Sequence, residues 1–167
     1  MRRGIQACSF SLAFSLAALG ATTDVNKSPV ADAAAKGDKA AVKSLIQQKA
    51  DVNAPQIDGA TALHLAAAAG STSTVRLLLD RGADIEARDT TWDSTPLEWA
   101  LVGSGMRLGH APDPDWPATV RILLDAGASA SGIVLSPDDP KPPSPEVAAV
   151  LRASGIPNEE ADGMTGG

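Results

Sequence analysis

The stretch Gly59-Ala60-Thr61-Ala62-Leu63-His64-Leu65-Ala66-Ala67, closed by Gly70 and followed by Val75-Arg76-Leu77-Leu78-Leu79-Asp80-Arg81-Gly82-Ala83-Asp84-Ile85, decides how this chain is read. Thr61 offers a hydroxyl N-cap to the small-residue run Ala62 to Ala69, and Gly70, which tolerates positive φ, ends that run. Val75, Leu78 and Leu79 stand at i, i+3 and i+4, one apolar face of a second short helix that Gly82 stops. The stretch predicts two short antiparallel helices and an extended turn.

The same unit recurs. Gly37, Val42, Leu45, Ala50, Asp51, Val52 and Ala54 reappear 33 positions later as Gly70, Val75, Leu78, Ala83, Asp84, Ile85 and Ala87. Its second half returns once more, 45 positions on, as Val120, Arg121, Leu123, Leu124, Asp125, Gly127 and Ala128. Because Thr61 and Thr95 are 34 apart, the third copy is lengthened by one residue near Trp92 and by a further insert between its two helices. In that copy Thr95, Pro96 and Glu98 form a Thr-x-x-Glu capping box with proline at the first helical position, and Ser28-Pro29 opens the first copy in a similar way.

Composition agrees with a repeating stack. Hydrophobic residues make up 44% of the 167, yet aromatics only 3%, and alanine fills the difference. Alanine is the strongest helix former and has a small side chain, so successive helices can approach closely while leucines fill the layer behind them. One cysteine permits no internal disulfide framework, and 14 basic against 20 acidic residues is the wrong balance for a general nucleic-acid binder.

At these residues the sequence resembles the ankyrin repeat family. Thr95-Pro96-Leu97-Glu98-Trp99-Ala100 is a close variant of the same motif, and the likeness runs from about Ser28 to Ser131, with a weaker echo at Ser144 to Ile156. The resemblance implies an all-α solenoid of stacked helix-turn-helix units with extended turns. Repeats are expected at about 28–57, 58–90 and 91–131, with an inserted loop at 105–117, a capping helix at 144–156 and a disordered tail at 157–167. Two departures stand out: Glu98 occupies the place of the family's motif histidine, and an insert breaks the third repeat. Five prolines between Ser136 and Pro145 bar a helix there, so the final repeat is expected to have lost its first helix.

Ahead of the repeats, Arg2 and Arg3 precede an uncharged stretch whose densest apolar part, Cys8 to Ala21, is about 14 residues long. That is short of the roughly 20 needed to span a bilayer. A basic start, a short apolar run and small residues at Ala18 to Ala21 read as a signal peptide over residues 1–21, cleaved near Gly20 or Ala21. The expectation is a periplasmic or secreted protein with no stable membrane span after cleavage, or a cytoplasmic one if the start codon is mis-assigned. Short ankyrin proteins with such a leader resemble bacterial envelope proteins.

No constellation for covalent catalysis is present in the sequence, and no cofactor is expected. His64 most simply satisfies local backbone donors at its helix start. His110, Asp113 and Asp115 could hold a cation or support hydrolysis within the insert, although their spacing departs from strong metal motifs. Gly103 and Gly105 read as helix end and loop hinge, Trp116 as packing back onto Leu108 or the helix pair, and Trp99 as core. What remains is a surface. The resemblance implies that a protein partner, and not nucleic acid, meets a monomer at the turn tips and the exposed side of the first helices. These map to Ile57, Asp58, Ala60, Ala68, Ala69, Arg88, Thr90, Trp92, Asp93 and Val102. Trp92, an extra residue at a turn tip, is the strongest single candidate, because Trp often dominates interface energy; it could equally fold inward over a repeat edge. A secreted effector, a cytosolic scaffold and a purely stabilising role all need only such a face.

Overall fold

The computed structural model of the protein describes residues 28–106, 114–135 and 142–157. The expected leader, most of the insert and the expected tail beyond Pro157 lie outside them. Seven helices follow in order: α1 (Pro29–Ala35), α2 (Lys39–Gln47), α3 (Ala62–Ala68), α4 (Thr72–Leu79), α5 (Pro96–Met106), α6 (Trp116–Asp125) and α7 (Pro145–Ala153). The described residues contain no β-strand beyond a single bridge at Leu135. They form two rows: α1, α3 and α5 pack side by side on the inside, and α2, α4, α6 and α7 line up behind them.

Local chemistry fixes where the helices begin. Ser28, Asp38, Asp115 and Ser144 each accept the backbone N–H of the third residue of the helix they precede, satisfying one of its orphan donors. In the third repeat both halves of the expected capping box form: Thr95 N–H donates to Glu98 Oε2 at 2.6 Å, and Glu98 N–H to Thr95 Oγ1 at 3.4 Å.

The ends of the outer helices repeat even more strictly. Ala50, Ala83, Ala128 and Ile156 each donate back to the carbonyl five residues earlier, of Leu45, Leu78, Leu123 and Leu151, at 3.0, 3.0, 2.9 and 3.2 Å. This is the Schellman closure, which needs one left-handed residue just before the donor. Gly82, Gly127 and Gly155 take that position with φ of 80°, 99° and 83°, while the first repeat uses Lys49 at 63°. The fourth closure gives α7 the same ending as α2, α4 and α6.

The core is aliphatic. Leu63, Leu78, Leu97, Leu123 and Leu151 are fully buried, with Val30, Val42, Val75, Val120 and Val147 beside them. Each buried leucine contributes about 2 kcal/mol of transfer free energy. None of the three tryptophans is fully buried.

Three expectations change. Gly103 and Gly105 do not end a helix, because α5 continues to Met106. Gly103 is instead where two inner helices touch: a Cβ there would lie 2.2 Å from the carbonyl oxygen of Ala68. Trp99 is half-buried at the surface, not core. Trp116 packs on the preceding repeat, its Nε1–H donating to Ala68 O at 2.9 Å and its ring lying over Gly70. Asp115 N–H adds a bond to Gly70 O at 2.9 Å. The start of α6 thus grips the turn between α3 and α4.

Candidate partner-binding surface

Two extended turns, residues 54–60 and 87–94, project beyond the inner helices and stack on one another. Gln56 N–H donates to Ala60 O at 2.8 Å across the first, and Asp89 N–H to Ser94 O at 3.1 Å across the second. Thr90 N–H donates to Asp58 O at 2.8 Å and ties one turn to the next. Gly59 permits this approach, since a Cβ would lie 2.5 Å from Thr90 N, and its φ of +81° is left-handed. One extra residue lengthens the second turn and pushes Trp92 out at its tip.

Asp89, which the sequence reading passed over, organises that second turn. Its buried carboxylate accepts Thr91 N–H at 2.8 Å, Trp92 N–H at 2.7 Å, Ser94 N–H at 3.1 Å and Trp99 Nε1–H at 3.0 Å. Burial by itself would raise its pKa, but the donors from Trp92, Trp99, Thr91 and Ser94 outweigh burial and hold the carboxyl below its usual value. The signal for it was available: an aspartate with backbone N–H groups two and three residues on is a turn former.

His64 joins the two repeats. Its Nδ1 accepts Thr61 N–H at 3.1 Å and faces Thr61 Oγ1 at 2.9 Å, so the network assigns the proton to Nε2, which donates to Ser94 O at 3.0 Å. The local half of this was expected; the bond across to the next turn was not. Burial pushes the imidazole pKa below its usual value, against the Ser94 carbonyl and the Asp89 charge, which favour the charged form. His64, Trp99 and Trp92 form a chain of edge-to-face rings, with centroids 5.4 Å and 5.7 Å apart. Glu98, at the place equivalent to His64, supplies only the local cap.

The structure sorts the candidate contacts. Ile57 is 87% exposed and Trp92 69%, with Trp92 leaning against Trp99 yet open to solvent. Arg88, Thr90 and Asp93 are exposed as well, and Arg88 donates to the backbone oxygen of Asp93 and pairs with its carboxylate at 3.4 Å. Val102 is 40% exposed on α5, one turn from Met106 at 45%. Asp58 and Ala68 are half-buried. Ala60 and Ala69 are corrections: both are buried, Ala60 where the turn meets α3 and Ala69 at the end of α3, so neither can touch a partner.

The other side offers less. A shallow pocket of about 300 Å³ between α4 and α6 is lined by Arg76 and Arg121 but also by Asp115 and Asp125, with no nucleophile among them. Of the cation-site candidates, His110 and Asp113 lie outside the described residues, and Asp115 is occupied in capping α6. Among the described residues no three His, Cys, Asp or Glu side chains gather as a metal site, and no helix is long and apolar enough to cross a membrane.

Comparison with known proteins agrees with this geometry. Residues 6–89 and 30–132 match the family model described as ankyrin repeats in three copies. Serine/threonine-protein kinase 12 of Arabidopsis thaliana is 44% identical over 66 residues, which are 40% of this chain and 14% of that protein. The NF-kappa-B inhibitor cactus of Drosophila melanogaster is 43% identical over 61 residues, 36% of this chain and 12% of that protein. This chain therefore spans a small fraction of the length of these relatives. Among solved structures, the human ASB11 ankyrin repeat domain superposes with a TM-score of 0.52 at 32% identity, covering 62% of this chain and 42% of that one. The repeat period, the two helix rows, the recurring closures and the family match lead to one conclusion: the chain belongs to the ankyrin repeat family.

Proposed function

We propose that this protein binds another protein through the tips of its extended turns and the adjoining face of α3 and α5, without catalysing a reaction. Ankyrin repeats mediate protein–protein contacts, so the class of job follows from the fold. The observation that carries the choice of face is Trp92, 69% exposed on a turn braced from beneath by Asp89, Trp99 and His64. A rigidly seated, solvent-exposed tryptophan loses little conformational freedom on binding and offers a large apolar surface to cover. The leader reading adds that the encounter takes place after export, in the periplasm or outside the cell.

Replacing Trp92 and Arg88 together with Ala tests the face. Neither side chain is buried, so thermal stability should stay within about 1 kcal/mol of the parent, while capture of the native partner falls at least about tenfold. Capture at parental strength by the folded double variant would rule out this surface.

A further inference from the structure

The apolar side chains of the proposed face lie on neighbouring elements. Ile57 and Trp92 sit on turns joined through Thr90 and Asp58. Trp92 touches Trp99, and Trp99 lies on α5 one turn before Val102, which is itself one turn before Met106. The charges around this strip are mainly acidic. Asp58 and Asp93 flank it on the turns and Glu98 on α5, whereas α1, α3 and α5 carry no lysine or arginine at all. Arg88, a cation on the second turn, is tied to Asp93. The opposite row is different in kind: Lys43, Arg76 and Arg121 hold equivalent places on α2, α4 and α6, all exposed on the outer helices. Acids occur on both sides, as Asp125 on α6 and Glu146 on α7 show, but only the outer row carries cations on its helices.

Resting on the reading that this face is the partner surface, we propose that its occupant is a cationic segment of a protein, in which arginine or lysine alternates with aliphatic side chains. The aliphatic groups would cover Ile57, Val102 and Met106. A guanidinium or ammonium would lie on the exposed ring of Trp92, where cation–π attraction adds to the field of Asp58, Asp93 and Glu98. An acidic segment, nucleic acid or an anionic lipid surface meets repulsion at the same place.

The test titrates the full-length chain with two fluorescent peptides, one of alternating Arg and Leu and one in which every Arg is Glu. The changes Asp58→Asn, Asp93→Asn and Glu98→Gln, made together, remove three charges but leave a side-chain oxygen to accept the bonds that Asp58 and Glu98 receive from Ala60 N–H and Thr95 N–H. Asparagine also tolerates the left-handed φ of 54° at position 93. The proposal expects the Arg peptide to bind and the Glu peptide not to. It also expects affinity about tenfold weaker in the triple variant, in Trp92→Ala and at about 1 M salt. Unchanged affinity in either variant overturns it. Preferential binding of the Glu peptide, lost in Trp92→Ala, would overturn the charge assignment while leaving the face itself in place.

Discussion

His64 shows how far a single residue could be read in advance. Its place three after Thr61 announced a helix cap, and the cap is there. Its second nitrogen reaches Ser94, 30 residues on, and that bond depends on the register of the next repeat, which no local pattern encodes. Asp89 divides in the same way: its bonds to Thr91, Trp92 and Ser94 are those of a local turn, whereas the bond from Trp99 depends on how α5 meets that turn. Both groups titrate below their usual values in the fold, so both stabilise above the unfolded pKa and lose that contribution as the pH falls. The windows differ. For His64 the loss begins below about pH 6.5, and for Asp89 below about pH 3.9. Replacing His64 with Gln, which keeps a Thr-x-x-Gln box, should cost about 1–3 kcal/mol at pH 7.5 through the severed Ser94 bond. Between pH 7.5 and pH 5.5, urea unfolding should show the parent losing stability and the variant nearly level; parallel slopes would contradict the assignment of this titration to His64.

At the scale of elements, periodicity was legible because each helix carries its own start and stop. Ser28, Thr61, Thr95 and Ser144 marked beginnings, and Gly82, Gly127 and Gly155 marked ends. Gly103 misled for a physical reason: glycine serves both to end a helix and to let two helices touch, and only the neighbour decides which. Gly103→Ala should therefore destabilise by about 2–3 kcal/mol, because its Cβ would press on the Ala68 carbonyl, a backbone atom that cannot swing aside. A thermal unfolding midpoint equal to the parent's would show that the contact relaxes freely. Lys49 offers the opposite case. It holds the left-handed closing position that glycine holds at the ends of α4, α6 and α7, so Lys49→Gly should stabilise by about 1 kcal/mol in denaturant titration.

For the whole molecule, the arrangement follows from repetition. Single helix pairs of this size cannot bury their apolar faces alone, and stacking supplies the missing partner for each. The three tryptophans, few against so much alanine, fall outside the aliphatic core: Trp116 clamps the insert's exit onto the preceding repeat, Trp99 holds Asp89, and Trp92 faces solvent. That the face would be apolar at its centre was legible from Ile57, Trp92 and Val102. That Ala60 and Ala69 drop out of it was not, because burial at the junctions of turn and helix is set by stacking. The central claim, that partners meet the turn tips and inner helices and not the outer row, is tested most directly by placing a photoreactive amino acid at Ile57 or, in a separate protein, at Arg76 and irradiating in the native cell. The account predicts a discrete crosslinked partner from position 57 and none from position 76; a partner crosslinked from position 76 alone would contradict it.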